Sequence, residues 1–169
     1  NIFVMDRDGS NQVALTSSPD WELFPAWSPD GRQIAFTGLA PRSRNTDVFI
    51  MDADGAQVRQ LTDEPGFDEN PAWSPDGSQI AFQTNRDGNF EIYAMALDGS
   101  QQHPLAVHRG DDLWPSWSAS GPKSGAILFE KSEQTFASIP TWKIGLTDLD
   151  ADGDLDAVFA NAQSNDSEV

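Results

Sequence analysis

The heptad Pro71-Ala72-Trp73-Ser74-Pro75-Asp76-Gly77 constrains this chain more than any other stretch. The same seven residues stand earlier, as Pro25-Ala26-Trp27-Ser28-Pro29-Asp30-Gly31. An altered copy follows later, as Pro115-Ser116-Trp117-Ser118-Ala119-Ser120-Gly121. The three tryptophans lie 46 and then 44 residues apart. Each residue type in the heptad has a local job. Proline lacks an N–H and suits the first position of a strand. Tryptophan is a large apolar body with one polar N–H, suited to filling the seam between neighbouring sheets. Ser-Pro-Asp-Gly is turn chemistry: proline presets φ, and glycine takes the left-handed position that sends the chain back. The short apolar runs Ile34-Ala35-Phe36, Ile80-Ala81-Phe82 and Ile127-Leu128-Phe129 then read as returning strands.

The rest of the repeat keeps the same register. Ile2-Phe3-Val4-Met5-Asp6, Val48-Phe49-Ile50-Met51-Asp52 and Ile92-Tyr93-Ala94-Met95-Ala96 are three copies of a buried strand. The turns Asp8-Gly9, Asp54-Gly55 and Asp98-Gly99 follow, and each leads to a further strand ending in Leu15-Thr16, Leu61-Thr62 or Leu105-Ala106. Four strands per repeat, at a period of about 45 residues, are the signature of all-β β-propeller blades. The run PAWSPDG, then IAF, then VFIMDADG, then QLT resembles the TolB-like, or PD40, variety of WD40-like propeller repeat. The resemblance covers roughly residues 1–130 and implies blades of four antiparallel strands around a central axis. It implies no single activity, because propellers carry many functions.

The repeats divide the chain into a half blade at 1–16, whole blades at 25–62 and 71–106, and a half blade at 115–130. A longer loop at 41–46 interrupts the first whole blade. Closed propellers use four to eight blades. The expectation is therefore a partial propeller within a longer protein, or two half blades that complete one another by strand pairing and hide two sheet edges.

Composition narrows the partners. Acidic residues outnumber basic ones 27 to 10, a net charge of −17. Nucleic acids and anionic membranes both require a basic face, so neither is expected as a partner. Many of the aspartates are turn residues. The chain has no cysteine, hence no disulfide framework, thiolate metal site or cysteine nucleophile. Absence of cysteine fits an exported bacterial protein. No apolar run is long enough to span a membrane.

Candidate site residues fall in four groups. Glu22, Asp68 and Asp112 each precede the heptad proline by three residues, and repetition at one blade position places them in a ring on one propeller face. They read either as a partner face for cationic groups or proteins, or as carboxylates accepting backbone N–H bonds in turns. His103 and His108 read as solvated loop histidines. Arg109-Gly110-Asp111 spells an RGD tripeptide at an expected loop tip, and Asn165-Asp166-Ser167 is a formal glycosylation sequon. No Gly-x-Ser-x-Gly elbow is present, so no hydrolase nucleophile is indicated.

The fourth group is the sharpest. After an alternating strand, Trp142 to Thr147, comes Asp148-Leu149-Asp150-Ala151-Asp152-Gly153-Asp154-Leu155-Asp156, and then the apolar run 157–160. Aspartates at positions 1, 3, 5 and 9 with glycine at 6 suit calcium, which takes six to eight oxygens. Asp148, Asp150, Asp152 and Asp156 are expected to supply carboxylates, and Asp154 its backbone carbonyl. Position 12 is Phe159 and the flanks are strands, so this is no EF-hand. The segment resembles an FG-GAP, or VCBS, repeat over about 134–169, with Phe136-Ala137 standing where that family has Phe-Gly. A structural Ca2+ ion follows from that reading.

Taken together, these residues point to a non-catalytic, extracytoplasmic scaffold or protein-binding module. Its expected partners are other proteins, among them copies of itself or neighbouring blades, at the cell surface, in the periplasm or in a secreted assembly. Two other classes stay open: a gating propeller of a prolyl-oligopeptidase-type peptidase, and a carbohydrate-binding or lyase propeller.

Overall fold

A computed structural model describes residues 1–40, 45–118, 127–131, 144–147 and 156–159, the last three segments largely as backbone. Every regular element among them is a strand. In chain order they are β1 (Phe3–Val4), β2 (Val13–Ala14), β3 (Glu22–Trp27), β4 (Gln33–Leu39), β5 (Thr46–Asp52), β6 (Arg59–Gln60), β7 (Asp68–Trp73), β8 (Gln79–Thr84), β9 (Glu91–Ala96), β10 (His103–Ala106), β11 (Asp112–Trp117), β12 (Ile127–Lys131), β13 (Ile144–Thr147) and β14 (Asp156–Phe159). β3 to β6 form one four-stranded antiparallel sheet and β7 to β10 another, each a meander in sequence order. β1–β2, β11–β12 and β13–β14 are two-stranded. The four-strand blade is therefore present twice, as the repeat requires. The half blades β1–β2 and β11–β12 form separate sheets, and among the described residues no ladder joins them.

The turns follow from their residues. Gly31 and Gly77 sit at φ 68° and 70°. Their N–H groups donate to the Ser28 and Ser74 carbonyls, at 2.9 Å each. The serine hydroxyls bond Asp30 and Asp76 at 2.7 Å, and those aspartates accept the backbone N–H two residues on, at 3.1 and 3.0 Å. These donors hold both carboxyls below the usual carboxylate range, Asp76 at about 2.

The strand that carries the heptad corrects one expectation. The proline does not open it. β3, β7 and β11 begin at the recurring acid, and Pro25, Pro71 and Pro115 stand fourth among six residues. A bulge makes this possible: the ladder register shifts between Leu23 and Ala26, Glu69 and Ala72, and Leu113 and Ser116. An irregular ladder tolerates a missing donor that a regular central one does not. The residue before each proline takes a left-handed conformation, with φ 52° at Phe24, 54° at Asn70 and 57° at Trp114. None of the three is glycine, and each is thrown off the pleat by the bulge.

Blades pack face to face. In the second whole blade Ile80, Ala81, Phe82, Ile92, Ala94 and Met95 are fully buried, because neighbours cover both sheet faces. The tryptophan works as a seam filler with a directed bond. Trp73 Nε1 donates to the Ala26 carbonyl of the preceding blade at 3.0 Å, and Trp117 Nε1 to that of Ala72 at 3.1 Å. The Asp-Gly turns add a second contact. Gly55 and Gly99 lie so close to the preceding blade that a β-carbon on them would stand 2.5 and 2.4 Å from the Leu15 and Leu61 carbonyl oxygens.

Candidate functional site

The three left-handed residues converge. β3, β7 and β11 are the first strands of successive blades, and their heptad segments wall one open cleft of about 730 Å³. Phe24 and Trp114 meet edge to face across it, with ring centroids 5.8 Å apart and planes at 79°. Asn70 lies between them in the repeat order. It is buried, and its Nδ2 has no hydrogen-bond partner among the described residues. Trp27, Trp73, Trp117 and the heptad prolines complete the walls, and none of the described lining residues carries a charge. In a chain with net charge −17 that neutrality is a local property of the inner strands. An aromatic, uncharged cleft with one unspent donor suits a ligand with apolar faces and a carbonyl oxygen.

The recurring acids are found at the expected repeat position, as the first residues of β3, β7 and β11. Asp68 and Asp112 have no exposed surface, and Glu22 is half-buried. They face the seams between blades. Glu22 accepts a hydrogen bond from Thr16 Oγ1. Asp68 receives Arg86, whose Nη2 lies 3.1 and 3.2 Å from its two oxygens. Asp112 receives His108 Nδ1 at 2.8 Å. A fully buried carboxylate without a partner is costly, so each found one on a neighbouring loop or strand. Both histidines are exposed: His103 opens β10, and His108 stands on the loop after it with its Nδ1 against Asp112.

Sequence reasoning missed the acids opposite. Asp47 on β5 and Glu91 on β9 are 2% and 3% exposed. Asp47 accepts from Gln60 Nε2 at 2.7 Å and Thr62 Oγ1 at 3.5 Å. Burial first, and the Asp68 charge second, push its carboxyl up to about 7. Glu91 accepts from Asn89 Nδ2 at 2.9 Å and the His108 N–H at 3.1 Å. Burial raises its carboxyl, and the neighbouring Asp112 raises it further. The missed signal was repetition: Asp47 and Glu91 stand one residue before corresponding strand residues, Val48 and Ile92.

The RGD tripeptide is tied into the blade. Asp111 Oδ1 accepts the Phe90 N–H at 3.0 Å, and the Gly110 carbonyl accepts Asn89 Nδ2 at 3.0 Å. Asp148, Asp150, Asp152 and Asp154 lie outside the described residues. Asp156 opens β14, opposite Thr147 of β13 in a ladder of four antiparallel pairs. The sequon lies outside the described residues. Among the described residues no helix is long and apolar enough to cross a membrane.

Comparison with known proteins places this geometry. The family model for the TolB beta propeller domain, PD40, matches residues 25–166 and so runs across the acidic loop as well as the blades. The Tol-Pal system protein TolB of Blochmanniella pennsylvanica is 41% identical over 39 residues, which are 23% of this chain and 9% of that protein. A TolB-type structure from Agrobacterium tumefaciens superposes with a TM-score of 0.68 at 25% identity, covering 92% of this chain and 55% of its own. TolB from Acinetobacter baumannii gives 0.67 at 27% identity, covering 78% of this chain and 32% of its own. The chain thus spans only part of each relative. With the repeat, the blade geometry and the family match in agreement, the chain belongs to the TolB beta propeller domain family.

Proposed function

We propose that this segment is a non-catalytic protein-binding module of an exported bacterial TolB-like propeller, and that the aromatic cleft is its docking surface. The observation that carries the reading is the cleft itself: rings on three blades, no charge, and an Asn70 donor left unspent. A peptide carbonyl satisfies that donor, and apolar side chains cover Phe24 and Trp27, which are exposed. A hydroxyl-rich sugar fits less well, because the Ala26 and Ala72 carbonyls are already taken by the indoles of Trp73 and Trp117. The relatives named for the Tol-Pal system support protein partners and an extracytoplasmic setting.

The test is binding to an immobilised library of uncharged apolar peptides. Changing Phe24 and Trp114 to alanine together is expected to weaken the selected peptides at least about tenfold, since aromatic anchors carry most of such an interface. The exposed-residue variant Glu64→Gln is expected to bind as the parent does. Equal binding by the double variant, or selection of glycans over peptides, overturns the reading.

We further propose that the acidic loop is a structural calcium site of FG-GAP or VCBS type. What supports it is the oxygen-ligand spacing together with the β13–β14 hairpin, which closes the loop between Thr147 and Asp156. Asp150→Ala or Asp152→Ala is expected to abolish calcium binding in calorimetry and to remove the calcium-dependent rise in melting temperature. An unaltered melting temperature of the parent chain between calcium and chelator refutes it.

A further inference from the structure

Three contacts tie a described blade to the one before it, and each recurs at equivalent residues of the repeat. The first is an indole bond: Trp73 Nε1 donates to the Ala26 carbonyl at 3.0 Å, and Trp117 Nε1 to the Ala72 carbonyl at 3.1 Å. The second is a close turn: a β-carbon on Gly55 would stand 2.5 Å from the Leu15 carbonyl oxygen, and one on Gly99 2.4 Å from that of Leu61. The third is apolar. Met51 packs in one cluster with Ile2 and Leu15, and Met95 in another with Val48 and Leu61. Both methionines are buried.

The first copy of each residue has no such neighbour among the described residues. Trp27 is half exposed, with no indole bond to match those of Trp73 and Trp117. A β-carbon on Gly9 would meet nothing within 4 Å, and Phe3 and Met5 are 62% and 60% exposed. The missing complements stand at the other end of the same molecule. Ser116 holds the repeat position of Ala26 and Ala72, and Leu105 that of Leu15 and Leu61. Leu105 is 39% exposed where Leu61 is 7%. The backbone agrees. β1–β2 corresponds to the third and fourth strands of a blade and β11–β12 to the first and second, and among the described residues β1 and β12 each pair with one strand. Two different faces of one molecule that complete each other define a head-to-tail contact.

We propose that these two faces dock on one another between two copies of this chain, which together close a ring. β12 of one copy pairs with β1 of the other. The register of β4 on β5 and of β8 on β9 sets Phe129 opposite Phe3, as Phe36 stands opposite Phe49 and Phe82 opposite Tyr93. The Trp27 indole then donates to the Ser116 carbonyl, Gly9 seats on the Leu105 carbonyl, and Met5 covers the Leu105 side chain. Burial of these apolar groups drives the association. The Trp27 ring still lines the cleft, as the bonded rings of Trp73 and Trp117 do. Two whole and two half blades per copy put six blades in a ring of two, within the four to eight that closed propellers use. One copy or three copies fall outside that range.

The experiment is light scattering of the whole chain over a range of concentrations, with sedimentation equilibrium to give the dissociation constant. A species of twice the chain mass is expected. Gly9→Ala is expected to weaken association about tenfold or more, because the added carbon enters the docked contact. Gly31→Ala is the control. Gly31 has the same kind of left-handed backbone, φ 68° against 84°, and a β-carbon there also meets nothing within 4 Å. That variant is expected to associate as the parent does. Leu105→Asp probes the opposite face, is expected to weaken association at least as far, and decides the matter if Gly9→Ala fails to fold. A chain that stays monomeric at every concentration, masses that climb beyond two copies, or a dimer indifferent to either substitution overturns the proposal.

Discussion

Arg86→Ala is expected to cost about 3–5 kcal/mol, the range for removing one partner of a buried ion pair. The guanidinium is used on every side. It pairs with Asp68 at 3.1 Å, donates to Gln102 Oε1 at 2.7 Å and to Thr84 Oγ1 at 3.0 Å, and stacks 4.9 Å from the Tyr93 ring centroid. Truncation leaves Asp68 buried with no salt-bridge partner among the described residues. The loss falls between two blades, so it is expected to appear in one cooperative transition by urea denaturation, followed by tryptophan fluorescence. Arg32→Ala is the control. Its contact with Asp30 is long, 3.9 Å, and the two side chains are 85% and 59% exposed. Such a surface pair is expected to change stability by less than about 0.5 kcal/mol. Equal effects at the two arginines are the result that this account does not survive.

The second large effect concerns a glycine whose neighbour matters more than its torsion angle. Gly77 and Gly99 both have positive φ, 70° and 86°. A β-carbon on Gly77 meets nothing nearer than Pro29 Cδ at 3.7 Å, whereas on Gly99 it meets the Leu61 carbonyl oxygen at 2.4 Å. Gly77→Ala therefore pays only for the left-handed backbone, about 1–2 kcal/mol. Gly99→Ala pays this and must also push the second blade away from the first. A loss of about 3 kcal/mol or more is expected there, of the size that overpacking a tight contact gives. Thermal melts of the two variants side by side distinguish strain in a turn from strain in a seam. Matching losses mean that blade contact at Leu61 is soft.

The same pair of glycines shows what was legible in the sequence. Their turn role was plain from Asp-Gly, and the structure repeats it with nearly identical bonds at Asp8, Asp54 and Asp98, each accepting a backbone N–H two residues on at 2.9 Å. The seam role of Gly55 and Gly99 was not, because Leu15 and Leu61 are far away in the chain and touch them only when blades stack. Asp68 and Asp112 repeat the lesson. Their recurrence at one blade position could be counted, but their burial depends on Arg86 and His108, different residue types supplied by different loops. The cleft was the least legible feature. Phe24, Asn70 and Trp114 are three different residue types, so no repeated residue marks the position, and the left-handed backbone that presents them arises from a bulge and not from glycine.

What the sequence determined alone is the all-β blade: its turns, its strand order and the place of its tryptophans. These rest on interactions within a few residues or on a period that repeats them, and such chemistry is written locally. What the tertiary structure decided is where the charges and the open face went. Burial of a carboxylate is set by the blade stacked against it, and a cleft exists only where three first strands meet around one axis.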